Sequence, residues 1–369
     1  MTYQLNEKIK GLKPYEVPKG RFTVRMDANE SFLPVPQAIK KDIISMTRKV
    51  AFNRYPETTA QKCRKAFGGY YGIDPDLVTA GNGSDELITL ILNGFFSRGD
   101  KLLLTEPDFS MYAFNAHIAE LQTVVYQKGE DYRADPAEII ELARKEDCRG
   151  IIFSNPCNPT SQGIRKGPLR TIIRELPEVL VIVDEAYMDF WNQSLINEAA
   201  EYDNLILLRT ASKALGGASI RLGFAVGCKK LTKVLQALKS PYNVSSTTQA
   251  AGEAIFKHPD LLKEGLMDIL AGRGFLAGAL AKLEADWKAT PYAFHLIPEP
   301  KTNFVVLCFA DKAKHKEIYE ALKKKKILIR CFPDFLRVTV GSTEENQVFL
   351  SEFTAIKNGG EEGNGEQSG

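Results

Sequence analysis

The feature that most constrains what this chain can fold into is an alternation in its central part. Short apolar runs of strand length recur at Leu102–Thr105, Thr123–Gln127, Gly150–Ser154, Leu180–Asp184, Leu205–Arg209 and Gly223–Cys228. Longer stretches with helical spacing, such as Ala137–Arg144 and Leu169–Glu175, lie between several of them. Apolar runs of this kind suit strands buried on both faces, and strand–helix alternation builds a mostly parallel sheet covered by helices. The larger part of the chain is therefore expected to be α/β. The last two or three strands follow one another through loops, so that edge need not continue simple βαβ winding.

After about Tyr242 the pattern changes. Helical spacing at Thr247–Phe256 and from Asp260 to about Leu283 gives way to a strand-like Asn303–Cys308 and a helical Lys314–Lys325. A strand-like Leu336–Val340 and a last helix from Thr343 to about Lys357 follow. This reads as an α+β unit with its own core, joined by the N-terminal residues. The expected division is a large domain at 45–270, a discontinuous small domain at 1–44 and 271–357, and a Gly-, Glu- and Asn-rich disordered tail at 358–369.

A chain of 369 residues is long enough for two such cores, and 44% hydrophobic with 25% charged residues is an ordinary globular balance. A net charge of +2 gives no reason to expect nucleic acid or an anionic membrane as partner. The lysines at 323–326 read as the solvated end of an amphipathic helix. No apolar run approaches the roughly 18 residues that span a bilayer, and residues 1–20 lack the apolar core of a secretory signal. The six cysteines are scattered without a CxxC pair and there are only four histidines, which argues against a metal site. Scattered cysteines in a large chain point to reduced thiols in the cytoplasm.

Four short motifs sit at strand ends or in the loops after them, where ligands bind in open α/β sheets. Asn155-Pro156-Cys157-Asn158-Pro159-Thr160 follows the run 150–154, and its prolines force an extended or turned backbone. Asp184-Glu185-Ala186-Tyr187 closes the next run. Arg209-Thr210-Ala211-Ser212-Lys213-Ala214 follows the third, and a lysine held beside small residues in a cleft is a usable nucleophile. Arg221 comes shortly after, and its guanidinium fork suits a phosphate. Upstream, Gly81-Asn82-Gly83-Ser84-Asp85-Glu86 marks a helix N-terminus, a ready anion site. It is neither a dinucleotide fingerprint nor a P-loop, because the third glycine and the Gly-Lys-Ser/Thr are missing. Taken singly, each motif has a plainer explanation: a surface loop, a helix cap, a solvated lysine, a surface arginine. The ordered set is what points to one site.

From about Leu12 to Phe353 the set resembles the fold-type I enzymes that use pyridoxal 5′-phosphate (PLP), in the aspartate aminotransferase superfamily. Within it the chain is most similar to the histidinol-phosphate aminotransferase family. The resemblance implies a large domain with a mostly parallel mixed sheet, a smaller α+β domain, and a homodimer. It implies that Lys213 holds PLP as a Schiff base and moves the proton between the substrate Cα and the cofactor C4′. Asp184 would pair with the pyridine nitrogen, and Tyr187 and Asn158 with the 3′ oxygen. Phe109 would stack on the ring. The cofactor phosphate would sit with Ser84, Asp85, Thr210, Ser212 and Arg221, and with Tyr55 from the neighbouring subunit. Arg337 would bind a substrate α-carboxylate, and Arg330 and Tyr15 the substrate's own phosphate.

The chain departs from the family pattern in three places. Cys157 stands where Asn is common, Ser161 stands where Gly is common, and six residues separate Arg330 from Arg337, fewer than in several relatives. The implied reaction is amino transfer between L-histidinol phosphate and 2-oxoglutarate. An aromatic-amino-acid aminotransferase would keep Arg337 without a phosphate clamp, and a threonine-phosphate decarboxylase would release carbon dioxide. A non-catalytic PLP-binding regulator would carry a DNA-binding module, for which the residues before Asp27–Glu30 are too few. A scaffold of the same fold would have no use for the lysine, aspartate and arginine together.

Overall fold

The apolar runs of the central chain become neighbouring strands in the computed structural model, which describes residues 2–14 and 18–362. Strand β1 (Val24–Arg25) precedes them and pairs elsewhere. One sheet contains β2 (Val78–Gly81), β3 (Lys101–Glu106), β4 (Gln122–Gln127), β5 (Gly150–Ser154), β6 (Leu180–Asp184), β7 (Leu205–Thr210) and β8 (Gly223–Gly227). Their spatial order is β2-β8-β7-β6-β5-β3-β4. The pairs β3–β4, β3–β5, β5–β6 and β6–β7 are parallel. Strand β8 runs antiparallel to both β7 and β2. The reversal has a local cause. The chain returns from β7 to β8 through a loop and the short turn Ala218–Ile220, with no helix to carry it across the sheet.

Side chains of a strand alternate between faces, and here both faces are buried. Ile151, Phe153, Val181, Val183, Leu205 and Leu207 point to one face, where the helices Gln61–Tyr71, Pro136–Lys145, Lys166–Glu175 and Ser246–Phe256 cover them. Ile152, Ile182, Ile206 and Leu208 point to the other, under the helices Gly83–Gly94, Met111–Ile118 and Lys229–Leu238. The helix starts follow local rules. Asp135 caps Pro136–Lys145 by accepting from the Ala137 N–H at 2.8 Å, with proline at the first helical position.

A second sheet, in the order β12-β13-β10-β9, is antiparallel. It contains β9 (Phe294–Leu296), β10 (Phe304–Phe309), β12 (Arg330–Cys331) and β13 (Phe335–Thr339), while β11 (Ile327–Leu328) pairs in parallel with β1. That pairing ties Val24 and Arg25 to the C-terminal part. Val305, Leu307, Leu336 and Val338 pack with Trp287, Phe349 and Phe353 from the helices Pro259–Trp287 and Thr343–Glu362. The opposite face of β10 and β13 presents Phe304, Val306 and Phe335 to Tyr187 and Ala214, which follow β6 and β7.

Helix Pro259–Trp287 covers the helical stretch expected from Asp260 to about Leu283, so the expected division at 270 falls inside one helix. The final helix runs from Thr343 to Glu362, so it enters the segment set off from 358.

Candidate active site

The carboxyl ends of β5, β6 and β7 open into a cavity of about 470 Å³, closed on its far side by β12 and β13. Asp184 ends β6, Thr210 ends β7, and Ser212 and Lys213 follow it, so strand ends supply much of one wall.

Asp184 is buried at the floor. Its Oδ2 accepts from the Tyr112 hydroxyl at 2.9 Å, and its Oδ1 accepts from the Ala186 N–H at 3.0 Å. Burial pushes its carboxyl up to about 7 against these two hydrogen bonds, with Asp85 and Asp108 adding like-charge repulsion. Among the described residues no cationic side chain forms an ion pair with it. The guanidinium of Arg209, on the neighbouring strand β7, is committed to Glu185 and Asp189 at 3.0 and 2.9 Å.

Lys213 Nζ donates to the Ala28 carbonyl at 3.1 Å and lies 5.7 Å from the centre of the Tyr187 ring. The Tyr187 hydroxyl accepts from Asn29 Nδ2 at 2.9 Å. Asn29 has φ +55° and is held by Thr339 and Asn303, so a residue before the first long helix is fixed by the second sheet. Phe109 and Tyr112 meet edge to face at 5.5 Å on another wall.

The helix start at Gly83 forms the next wall. Arg221 donates to Ser212 Oγ at 3.2 Å and to Asp85 Oδ2 at 3.2 Å, and Ser212 in turn bonds Thr210. Gly83 has φ +74°, and a Cβ there would meet Arg221 Nη2 at 2.7 Å. A Cβ at Gly223 would lie 2.5 Å from the Ser84 nitrogen. Bare backbone, a helix N-terminus, hydroxyls and a guanidinium together make an anion cradle.

Arg337 faces the cavity because its neighbours Leu336 and Val338 occupy the opposite, core-facing side of β13. It donates to Asn158 Oδ1 and to the Asp27 carbonyl, the latter at 2.6 Å, and lies over the rings of Phe304 and Phe332. Arg330 sits opposite it in register on β12 and lines the same cavity, with Arg25 and Asp27.

The cavity thus gathers Ser84, Asp85, Phe109, Asn158, Asp184, Tyr187, Thr210, Ser212, Lys213, Arg221, Arg330 and Arg337. Tyr55 is not among its lining residues. It is 79% exposed and stacks on Tyr242 at 4.4 Å. Tyr15 lies outside the described residues. Sequence reasoning missed Asn29, Asp108 and Tyr112. The last two lie within three positions of Phe109, whereas nothing local marks Asn29 as a partner of Tyr187.

Residues 23–353 match the aminotransferase class I and II family. The chain belongs to that family. A histidinol-phosphate aminotransferase of Clostridium novyi is 38% identical, covering 92% of this chain and 93% of the relative. One from Clostridium kluyveri is 35% identical over 93% and 95% of the two chains. The solved structure of histidinol-phosphate aminotransferase from Sinorhizobium meliloti in complex with pyridoxal-5′-phosphate superposes with a TM-score of 0.86. It covers 97% of this chain and 99% of that one at 19% identity, a likeness of fold.

Proposed function

We propose that this chain is a PLP-dependent aminotransferase that exchanges amino groups between L-histidinol phosphate and 2-oxoglutarate, yielding imidazole-acetol phosphate and L-glutamate for histidine biosynthesis. The observation that carries this reading is one cavity holding Lys213, Asp184, an anion cradle at Arg221 and, across from them, Arg330 and Arg337.

The residues fit the cofactor. Asp184 is a buried carboxyl with no cation against it among the described residues, which a protonated ring nitrogen would supply. The cradle at Gly83 and Gly223 leaves no room for a Cβ and suits a phosphate. When bound, PLP supplies an electron sink for negative charge at the substrate Cα.

The chain's own groups do the rest. Lys213 would be the covalent anchor and would carry the proton to and from the substrate Cα. Asp184 would keep the ring nitrogen protonated. Tyr187 and Asn158 would hydrogen-bond the ring's 3′ oxygen, and Phe109 would cover its face. Ser84 and Asp85 at the helix start, with Thr210, Ser212 and Arg221, would hold the cofactor phosphate, which would compete with the Asp85 carboxylate for Arg221. Arg337 would take the α-carboxylate of glutamate or 2-oxoglutarate. Arg330, with Tyr15, would take the substrate phosphate, by charge-assisted bonds that suit a guanidinium. Tyr55 would reach the cofactor phosphate of a second subunit in a homodimer. No described helix is long and apolar enough to cross a membrane, and we place the enzyme in the cytoplasm.

The test is substrate use. Histidinol phosphate with 2-oxoglutarate should give glutamate without carbon dioxide. Arg330→Ala should lower kcat/KM for histidinol phosphate by about 100-fold while sparing phenylalanine. Carbon dioxide release from threonine phosphate would overturn the assignment.

A further inference from the structure

Beside the cavity, Asp108 on its wall meets two side chains behind it, Lys128 and Cys157, to which the proposed chemistry gives no role. Cys157 Sγ is 3.1 Å from Lys128 Nζ, and Lys128 Nζ is 3.1 Å from Asp108 Oδ2. All three are buried: Cys157 is 3% exposed, and the side chains of Lys128 and Asp108 are 5% and 4% exposed. Burial works against the charge on Lys128, but Asp108 and Cys157 outweigh it and hold the ammonium above the ordinary lysine value. Among the described residues no other cysteine hydrogen-bonds to an amine. A void of about 20 Å³ touches both Lys128 and Cys157. A void of roughly 10–15 Å³ already holds one water, so there is room for a small oxygen species beside the pair.

We propose that Cys157 and Lys128 form a peroxide-responsive pair that closes to a covalent Sγ–Nζ bond. The Cys157 thiol first attacks one oxygen of a peroxide. The O–O bond breaks, sulfur is oxidised by two electrons to a sulfenic acid, and with hydrogen peroxide one water leaves. Asp108 then takes a proton from Lys128. The freed amine pair attacks Sγ, the S–O bond breaks, and the hydroxyl leaves as water with a second Lys128 proton. One hydrogen stays on nitrogen, and the ion pair ends neutral, which avoids an uncompensated buried charge. Two equivalents of a small thiol reverse the step, restoring thiol and amine and becoming a disulfide.

The bond has a route to the cavity. Lys128 Nζ also donates to the Pro107 carbonyl at 2.7 Å, and Asp108 accepts from the Phe109 N–H at 2.8 Å and from Thr105 Oγ1 at 2.7 Å. Drawing Nζ onto sulfur takes it from the Pro107 carbonyl and from Asp108, which stays bonded to Thr105 and Ser154, and so loosens the Pro107 end of the segment that presents Phe109.

Purified protein treated with hydrogen peroxide and digested is the test. The expected product joins the Lys128 and Cys157 peptides and is lighter than their sum by two hydrogen atoms. Dithiothreitol should return the separate peptides. A link retaining one oxygen, the product of a second peroxide, joins the same two residues and supports the pair. Amino transfer should fall by about fivefold or more and recover with dithiothreitol, while Cys157→Ser and Cys157→Ala keep it within about twofold in peroxide. Sulfinic acid at Cys157 with an unmodified Lys128 peptide overturns the proposal, as does equal inactivation of wild type and both variants. The peptide readout is independent of substrate, so a link found in a protein inactive on histidinol phosphate overturns only the functional reading.

Discussion

The Tyr112 hydroxyl donates to Asp184 Oδ2 at 2.9 Å, at a floor where burial pushes the Asp184 carboxyl up to about 7. An unfolded aspartate titrates near roughly 3.9, so between these values the folded chain holds a proton that the unfolded chain has released. The sign follows. This group's contribution to stability is fully present below the unfolded value and is lost as pH rises through about 7. Without cofactor, wild-type Tm should therefore fall from acid to neutral pH more steeply than that of Asp184→Asn, a difference worth on the order of a few kcal/mol. With Asp184 pairing the ring nitrogen as proposed, adding PLP would place a cation against the carboxylate and lower its pKa, and should flatten the wild-type profile. Thermal unfolding across pH, with and without PLP, checks it, and parallel profiles for wild type and Asp184→Asn would refute it.

Gly223→Ala should damage the anion cradle. Its Cβ would sit 2.5 Å from the Ser84 nitrogen and closer still to the Gly83 carbonyl carbon, all of it backbone that has no rotamer to yield. The helix start must shift away from β8, at a cost of about 1–3 kcal/mol in stability, and PLP affinity should drop by at least about tenfold. Absorbance titration with PLP beside thermal unfolding of the same variant separates the two effects.

These two sites differ in how visible they are before folding. Strands β5 to β7 were legible because each is a short apolar run ending at a polar residue, and Ser154, Asp184 and Thr210 mark those ends. Strand β2 was not, since Val78–Gly81 has only four residues and two are small. Nor was β1, two residues long and paired with β11 far along the chain. The contacts Asn29–Tyr187 and Asn158–Arg337 join residues 158 and 179 positions apart and depend on how the second sheet sits against the first. No local pattern carries that. Arg337 was found through resemblance, whereas its outward direction follows from Leu336 and Val338 filling the core.

Asn29→Ala should test the least legible of these contacts. It removes the 2.9 Å donor to the Tyr187 hydroxyl and the bond from Thr339 in a buried setting. Alanine also fits poorly at φ +55°. The expected cost is about 2–4 kcal/mol of stability, read by denaturant unfolding. With Tyr187 released from its tether, the pH dependence of the cofactor absorbance should shift in this variant. Asn29→Asp keeps an acceptor for Thr339 but loses the donor to Tyr187, so it should show the spectral shift with less destabilisation.

Tyr55 calls for a different kind of test, because nothing in its own cavity holds it. It is 79% exposed and stacked on Tyr242, another half-exposed ring. A large aromatic left outside contributes little to the fold of one subunit, so Tyr55→Phe should leave the thermal unfolding of cofactor-free protein within about 1 °C of wild type. If its hydroxyl completes the neighbour's phosphate site, the same variant should bind PLP at least about tenfold more weakly, since one hydrogen bond to a charged group is worth roughly 1.5–3 kcal/mol. Mixed dimers sharpen the test. A Tyr55→Phe subunit combined with a Lys213→Ala subunit has one cavity with its lysine and the partner's intact Tyr55, and a second cavity with neither. Such a mixture should regain up to about half of the wild-type PLP binding per pair of chains, with wild-type affinity at the surviving site. If Tyr55 served its own subunit instead, every cavity in the mixed dimer would lack one of the two groups, and tight binding would not return.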